Sequence, residues 1–179
     1  FLNYDMTKAT APEFGTFAGL KNYLVTFSNS KYRNAVANSV VWTLVNIVAQ
    51  VVLAMGIALV LNEKLKGRGF FRTVALLPWA IPAAISALTF SALYDTKIGV
   101  FNAILIRLGI FKEGYSFLGN VGSPMPAVII ANVWKSTPFL MIFILAALQG
   151  VSYDMYESGA IDGAGKLTRF LYITLPNIK

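Results

Sequence analysis

Charged residues withdraw from three long stretches of the chain, and these stretches predict its main elements. Between Asn34 and Asn62 lie 29 residues without a charge. As a helix at 1.5 Å per residue they extend roughly 43 Å, beyond the ~30 Å hydrocarbon core of a bilayer. A membrane span is expected there, over 37–61. A second charge-free run, Thr73 to Tyr94, has 22 residues and reaches about 33 Å as a helix. Its Pro78 and Pro82 predict a bent or irregular start, tolerable only where neighbouring protein satisfies the carbonyls they free. The third run, Pro126 to Leu148, is interrupted by Lys135. A lysine at a helix centre costs ~2.5–3.5 kcal/mol on insertion. The eleven Val, Ile, Leu and Phe residues of the run return roughly 5 kcal/mol in sum, so insertion wins. Lys135 then either snorkels to an interface or sits on a polar path between helices beside Asn132, Trp134 and Ser136, where Pro138 bends the helix.

Composition agrees with this pattern and removes several chemistries. Hydrophobic residues make up 56% of the 179 positions and charged ones 13%, too apolar for an ordinary water-soluble domain. The chain has no cysteine and no histidine, which excludes Ser-His and Cys-His hydrolytic sets, disulfides and the commonest metal ligands. No catalytic residue and no metal site is expected. The net charge of +7 does not point to nucleic acid, because the basic residues are spread through the loops instead of alternating with aromatics on one face.

The basic residues set the orientation. Lys64, Lys66, Arg68 and Arg72 fall within ten residues, which assigns 63–72 to the cytoplasm. Parity then gives an extracytoplasmic segment 1–33, a span in 34–62, the cytoplasmic loop 63–72, a span in 73–94 and an extracytoplasmic connection 95–125. A third span follows in 126–150, then a cytoplasmic segment 151–168 and the start of another helix in 169–179. Lys8, Lys21, Lys31 and Arg33 oppose this assignment at lower density. Within 95–125 the apolar stretch Gly99 to Phe111 predicts a short interfacial or partly buried helix. Trp42 and Trp79 read as interfacial anchors. The chain opens on Phe1 and stops soon after Leu175-Pro176, so it is expected to be a piece of a longer one.

The cytoplasmic segment VSYDMYESGAIDGAGKLTRFLYITLP, 151–176, is long and patterned for a loop. Asp154, Glu157, Ser158, Ile161 and Asp162 fall at i, i+3, i+4, i+7 and i+8, one helical face. Ser152 or Asp154 can cap the start, and Gly163 or Gly165 can end or bend the helix. Gly165-Lys166 superficially evokes a phosphate-binding loop. That loop needs a glycine five residues before Gly165 and a hydroxyl after the lysine, whereas Ala160 and Leu167 stand there. An interfacial helix lying on lipid would carry basic residues on its polar face. The acidic face here suits a protein partner instead.

Residues 157–176 resemble the cytoplasmic loop signature of the permease subunits of binding-protein-dependent ATP-binding-cassette importers: E-A-A, three positions, a glycine, then I-x-L-P. Glu157 supplies the acid, Gly163 the glycine, and Ile173, Leu175 and Pro176 the ending; Asp162 and Ala164 flank the glycine as in the carbohydrate-type subfamily. Ser158 and Gly159 depart from the alanines but stay small, with Gly159 lowering helix propensity by up to about 1 kcal/mol. FAGLKNY (17–23), FFR (70–72) with LLP (76–78), and WKSTPF (134–139) leading into LAALQ (145–149) are similar to maltose-type sugar permeases, so the resemblance covers most of the chain from Phe17 onward.

The resemblance implies an all-α, polytopic helical membrane protein, here about three transmembrane helices plus a cytoplasmic coupling helix, in a bacterial or archaeal cytoplasmic membrane. It implies a sugar, oligosaccharide or polyol as solute, further helices at both ends, and no cofactor of its own, ATP being bound by a partner. The implied partners are an ATPase pair docking on the 154–165 helix, a second homologous permease and an extracytoplasmic solute-binding protein. Asp154, Glu157, Ser158, Gly159, Asp162, Gly163 and Ala164 become the candidate ATPase-coupling residues. Asn132, Trp134, Lys135 and Ser136 become the candidate solute path. The rival readings are an ion-gradient-driven secondary transporter or channel, which the absence of Asp and Glu from the spans disfavours, and a passive membrane anchor, which has no use for a jointed acidic helix.

Overall fold

The computed structural model describes residues 17, 19–63 and 65–178. Lys8, Ala18, Lys64 and the outermost parts of segments 1–33 and 169–179 lie outside the described residues. The chain divides into two compact units, 1–44 and 45–179. In the first unit, α1 (Lys21–Ser28) leads to the start of α2 (Ser30–Asn62). Asn29 makes the junction: its Oδ1 accepts from the Lys31 N–H at 2.9 Å, a side-chain cap for orphan donors of the new helix.

The second unit continues α2 and adds α3 (Arg68–Ala80), α4 (Ala83–Leu93), α5 (Val100–Arg107) and α6 (Pro124–Gly150). It ends with α7 (Tyr153–Ile161), α8 (Lys166–Arg169), a π-helical turn (Phe170–Thr174) and α9 (Leu175–Asn177). α2 and α6 are each long and apolar enough to cross a bilayer. The stretch expected as one span over 73–94 is broken into two helices, α3 and α4, that meet at 89°. The irregularity falls at Ile81-Pro82 and not at the start, with Pro78 inside α3. Pro82 has no N–H to extend the ladder and disfavours helical backbone in the residue before it; Ile81 is accordingly extended, at φ −72° and ψ 132°.

Packing centres on α6. Met141, Leu145 and Leu148 share one face and are buried against Ala54, Ala58 and Leu61 of α2, with Ala75 and Leu76 of α3 alongside. Ala54 and Ala58, one turn apart and fully buried, let α2 approach closely, the role small residues take between helices in lipid. Many large apolar side chains on the outside, such as Val52 and Leu88, suit a hydrocarbon surrounding. A second cluster joins Phe90 and Tyr94 to Ala127, with Phe101 and Phe117 packed on it. There the Tyr94 hydroxyl donates to the Ala127 carbonyl at 2.9 Å.

The 95–125 connection is tied by one amide. Asn102 is 2% exposed; its Nδ2 donates to the Asp95 and Tyr115 carbonyls at 2.9 and 3.0 Å, and its Oδ1 accepts from the Tyr115 N–H at 2.8 Å. Asp95 organises the preceding turn by accepting from the Lys97 and Ile98 N–H groups, which holds its carboxyl below the ordinary value. Backbone passes so close at Gly99 and Gly114 that a Cβ would collide with the Asp95 and Thr96 carbonyls respectively.

Asn102→Ala strands the N–H and the carbonyl of Tyr115, each costing about 1–3 kcal/mol if unsolvated, while the Asp95 carbonyl keeps the Gly99 N–H. Thermal unfolding of the variant is expected roughly 5–10 °C lower. An unchanged midpoint would show that Asn102 does not tie this connection.

Candidate functional site

α7 presents two faces. Its start is capped by Ser152, whose Oγ accepts from the Asp154 N–H at 3.3 Å. Asp154, Glu157, Ser158, Ile161 and Asp162 are all exposed, as the helical spacing requires, and Ile161 is 86% exposed. The helix stops at Ile161, shorter than the 154–165 element read from the sequence. Asp162, Gly163 and Ala164 form its terminating turn. The Ala164 N–H bonds the Gly159 carbonyl at 2.8 Å and the Gly163 N–H bonds that of Ala160 at 3.1 Å, the paired bonds of a Schellman ending. Gly163 has φ +77° with open space around its would-be Cβ. Its requirement is for left-handed backbone, which other residues adopt at a cost.

The rear face of α7 is clasped by the segment that follows. Gly159 is the buried residue of the helix, and a Cβ there would lie 2.7 Å from Ile173 Cδ1 and 3.5 Å from Arg169 Cγ. One turn earlier, the Tyr156 hydroxyl lies 3.0 Å from Thr174 Oγ1. Thr174 is 4% exposed, and its Oγ1 also lies 3.5 Å from the Arg169 carbonyl. Arg169, Ile173 and Thr174 reach α7 together because Phe170–Thr174 is a π-helical turn, with the Leu175 N–H bonding back to the Phe170 carbonyl. Of the seven candidate coupling residues, Gly159 therefore faces this chain's own clasp, Ala164 is half-buried, and the other five point outward.

The four candidate solute-path residues do not converge. Asn132 Nδ2 donates to Asn46 Oδ1 of α2 at 2.7 Å, with Gln50 and Ser136 at the weaker distance of 3.4 Å from Asn46 and Asn132. Trp134 turns elsewhere, edge-on to Phe90 at 5.4 Å. Lys135 donates from Nζ to the Ile81 carbonyl at the α3–α4 break. A cavity of about 400 Å³ is lined by Ser136 together with Gln50, Trp79, Phe139, Ile47, Val51 and Leu140, and the Trp79 and Phe139 rings stack at 5.8 Å. Sequence reasoning missed Asn46, Gln50, Trp79 and Phe139. Asn46 and Gln50 stand four apart in an otherwise apolar stretch from Val45 to Val60, a signal for a polar stripe on one face. Among the described residues, no group of three or more Asp or Glu could hold a metal ion.

Comparison with known proteins fits this geometry. Residues 50–179 match the family described as binding-protein-dependent transport system inner membrane component. The trehalose/maltose transport system permease protein MalF of Thermococcus litoralis is 42% identical over 91% of this chain and 55% of its own length. The galactooligosaccharides transport system permease protein GanP of Bacillus subtilis is 30% identical over 99% of this chain and 44% of its own. A solved bacterial alginate transporter, in complex with an alginate pentasaccharide-bound periplasmic protein, superposes with a TM-score of 0.75 at 24% identity, covering 98% of this chain and 61% of that one. This chain spans about half the length of the relatives it matches. An all-α helical membrane architecture, a polar helix interface and an exposed jointed helix at the end of α6 thus occur together in a chain that belongs to the family of binding-protein-dependent transport system inner membrane components.

Proposed function

We propose that the chain is part of a permease subunit that moves a sugar, oligosaccharide or polyol across the cytoplasmic membrane, driven by a separate ATPase subunit docked on α7. The observation that carries this reading is the two-faced α7: its acidic face is exposed while its rear face is locked onto the next helix. A helix so placed can receive force from a partner and pass it on. ATP binding at the partner must favour one of two membrane conformations, and α7 transmits that difference. In this reading Asp154, Glu157, Ser158, Asp162 and Gly163 meet the ATPase, Ala164 completes the turn, and Gly159 serves the coupling from behind.

The same reading pairs the subunit with a second homologous permease, an ATPase pair and an extracytoplasmic solute-binding protein. The names of the relatives, which refer to trehalose, maltose and galactooligosaccharides, support a carbohydrate solute. The cavity beside α6 is compatible with one: Gln50 and Ser136 offer hydrogen bonds and Trp79 and Phe139 offer apolar ring faces, the mixture that polyhydroxyl rings require. Asn132 borders it through Ser136, whereas Trp134 and Lys135 act on its surroundings.

Two substitutions at Gly163 test the docking. Gly163→Asn keeps a residue tolerant of left-handed backbone, whereas Gly163→Asp adds a carboxylate of the same shape that docking must desolvate. Uptake by the Asp variant is expected to fall roughly tenfold or more, the consequence of about 1.4 kcal/mol or more at the interface, with the membrane part still folded and the Asn variant close to normal. Normal uptake by Gly163→Asp would remove the docking assignment. The clasp makes a second expectation: Tyr156→Phe and Thr174→Val delete one shared hydrogen bond. A double-mutant cycle on thermal unfolding should return a coupling of about 0.5–1.5 kcal/mol. Strict additivity would show that the two hydroxyls are not joined.

A further inference from the structure

Lys135 lies eleven residues into α6, roughly 17 Å along the helix at 1.5 Å per residue. Its side chain is half-buried there. Neither α2, α3, α4 nor α6 contains an Asp or Glu, so no carboxylate in these helices can neutralise it. What meets the ammonium is a backbone carbonyl, that of Ile81, at 2.5 Å. Ile81 is the residue between two half-helices: α3 ends at Ala80, Pro82 brings no N–H, and the ladder of α4 begins with the Ser86 N–H bonding the Pro82 carbonyl.

Each half of this contact is a liability alone. An unsatisfied carbonyl in hydrocarbon costs several kcal/mol, and a lysine at a span centre ~2.5–3.5 kcal/mol. The C-terminal end of α3 also carries about half a negative charge from the aligned peptide dipoles. In transporters with broken helices, such ends and their unwound carbonyls coordinate the coupling cation. Here a cation attached to α6 stands in that place. One helical turn beyond Lys135, Phe139 stacks on Trp79, two residues before Ile81, and both rings line the cavity, so the break lies next to the cavity wall.

We propose that Lys135 is a positioning residue whose ammonium serves as a tethered cation for the C-terminal end of the half-helix α3, fixing the α3–α4 break beside the cavity without any dissociable ion. This rests on the permease reading only for its consequence, a solute path whose wall needs no bound sodium. The geometry itself stands apart from that reading.

Spin labels on Gly69→Cys and Ala92→Cys, both exposed positions, report the break once any cysteine outside these 179 residues, which have none, is replaced. The 89° angle places the two backbone sites roughly 23 Å apart, against about 35 Å for a straight helix. In the intact protein in lipid nanodiscs, the parent and Lys135→Arg should give one short, narrow distance. Lys135→Met, which keeps the length of the side chain and removes its charge, should broaden and lengthen it by several ångströms. Lys135→Ala should be narrowed again by excess methylammonium but not by equal choline, which is too large to enter. A parent-like distribution for Lys135→Met, or no difference between methylammonium and choline, would overturn the proposal. Neither result depends on an ATPase, so failure here and failure of the docking assignment are separable.

Discussion

Hydrocarbon offers no hydrogen bonds, and the polar contacts inside the second unit follow from that constraint. Breaking a helix, as Pro82 does between α3 and α4, releases carbonyls that only protein can satisfy. At the break α6 answers with Lys135, which takes the Ile81 carbonyl; elsewhere along α6 Asn132 binds Asn46 of α2, and the Ala127 carbonyl accepts from Tyr94 at the end of α4. Met141, Leu145 and Leu148 continue the same helix as the apolar seam against Ala54 and Ala58. α6 is thus the post on which both the broken pair and α2 are fixed, and α7 follows directly from its end.

Much of this was legible in the sequence because charge is excluded from lipid so strongly. Helices α2 and α6, long and apolar enough to cross a bilayer, cover the stretches 34–62 and 126–150, and α5 falls within 99–111. The turn at Gly163 could be read because left-handed backbone favours one residue type. Pro78 and Pro82 announced an irregularity but not its place. Proline position alone does not say which of two breaks a helix, since neighbouring protein can absorb either. The partner of Lys135 was illegible for the same reason: Ile81 is an apolar residue 54 positions away, and it contributes only its backbone. Asn102 sits inside the helix that could be read, but its partners, the backbone of Asp95 and Tyr115, left no mark in the residue pattern.

The three glycines around α7 illustrate how one residue type does different physical work. Gly159 is needed for closeness, because Ile173 and Arg169 lie against it. Gly163 is needed for its positive φ and has room to spare. Gly165 is extended, at φ −67° and ψ 170°, and simply precedes α8. A nucleotide-binding loop uses glycines to bring N–H groups around a phosphate. Here they let one short helix end sharply and lie tightly on the next, while its acids stay free for a partner.

The central claim is that α7 carries force between a separate ATPase and the membrane helices. Cross-linking from Glu157→Cys to an ATPase subunit in membranes, with and without ATP, tests it most directly, since these 179 residues hold no competing cysteine. A specific cross-link whose yield changes with nucleotide is the predicted result. No cross-link to any ATPase, in membranes where solute uptake is intact, would contradict the account.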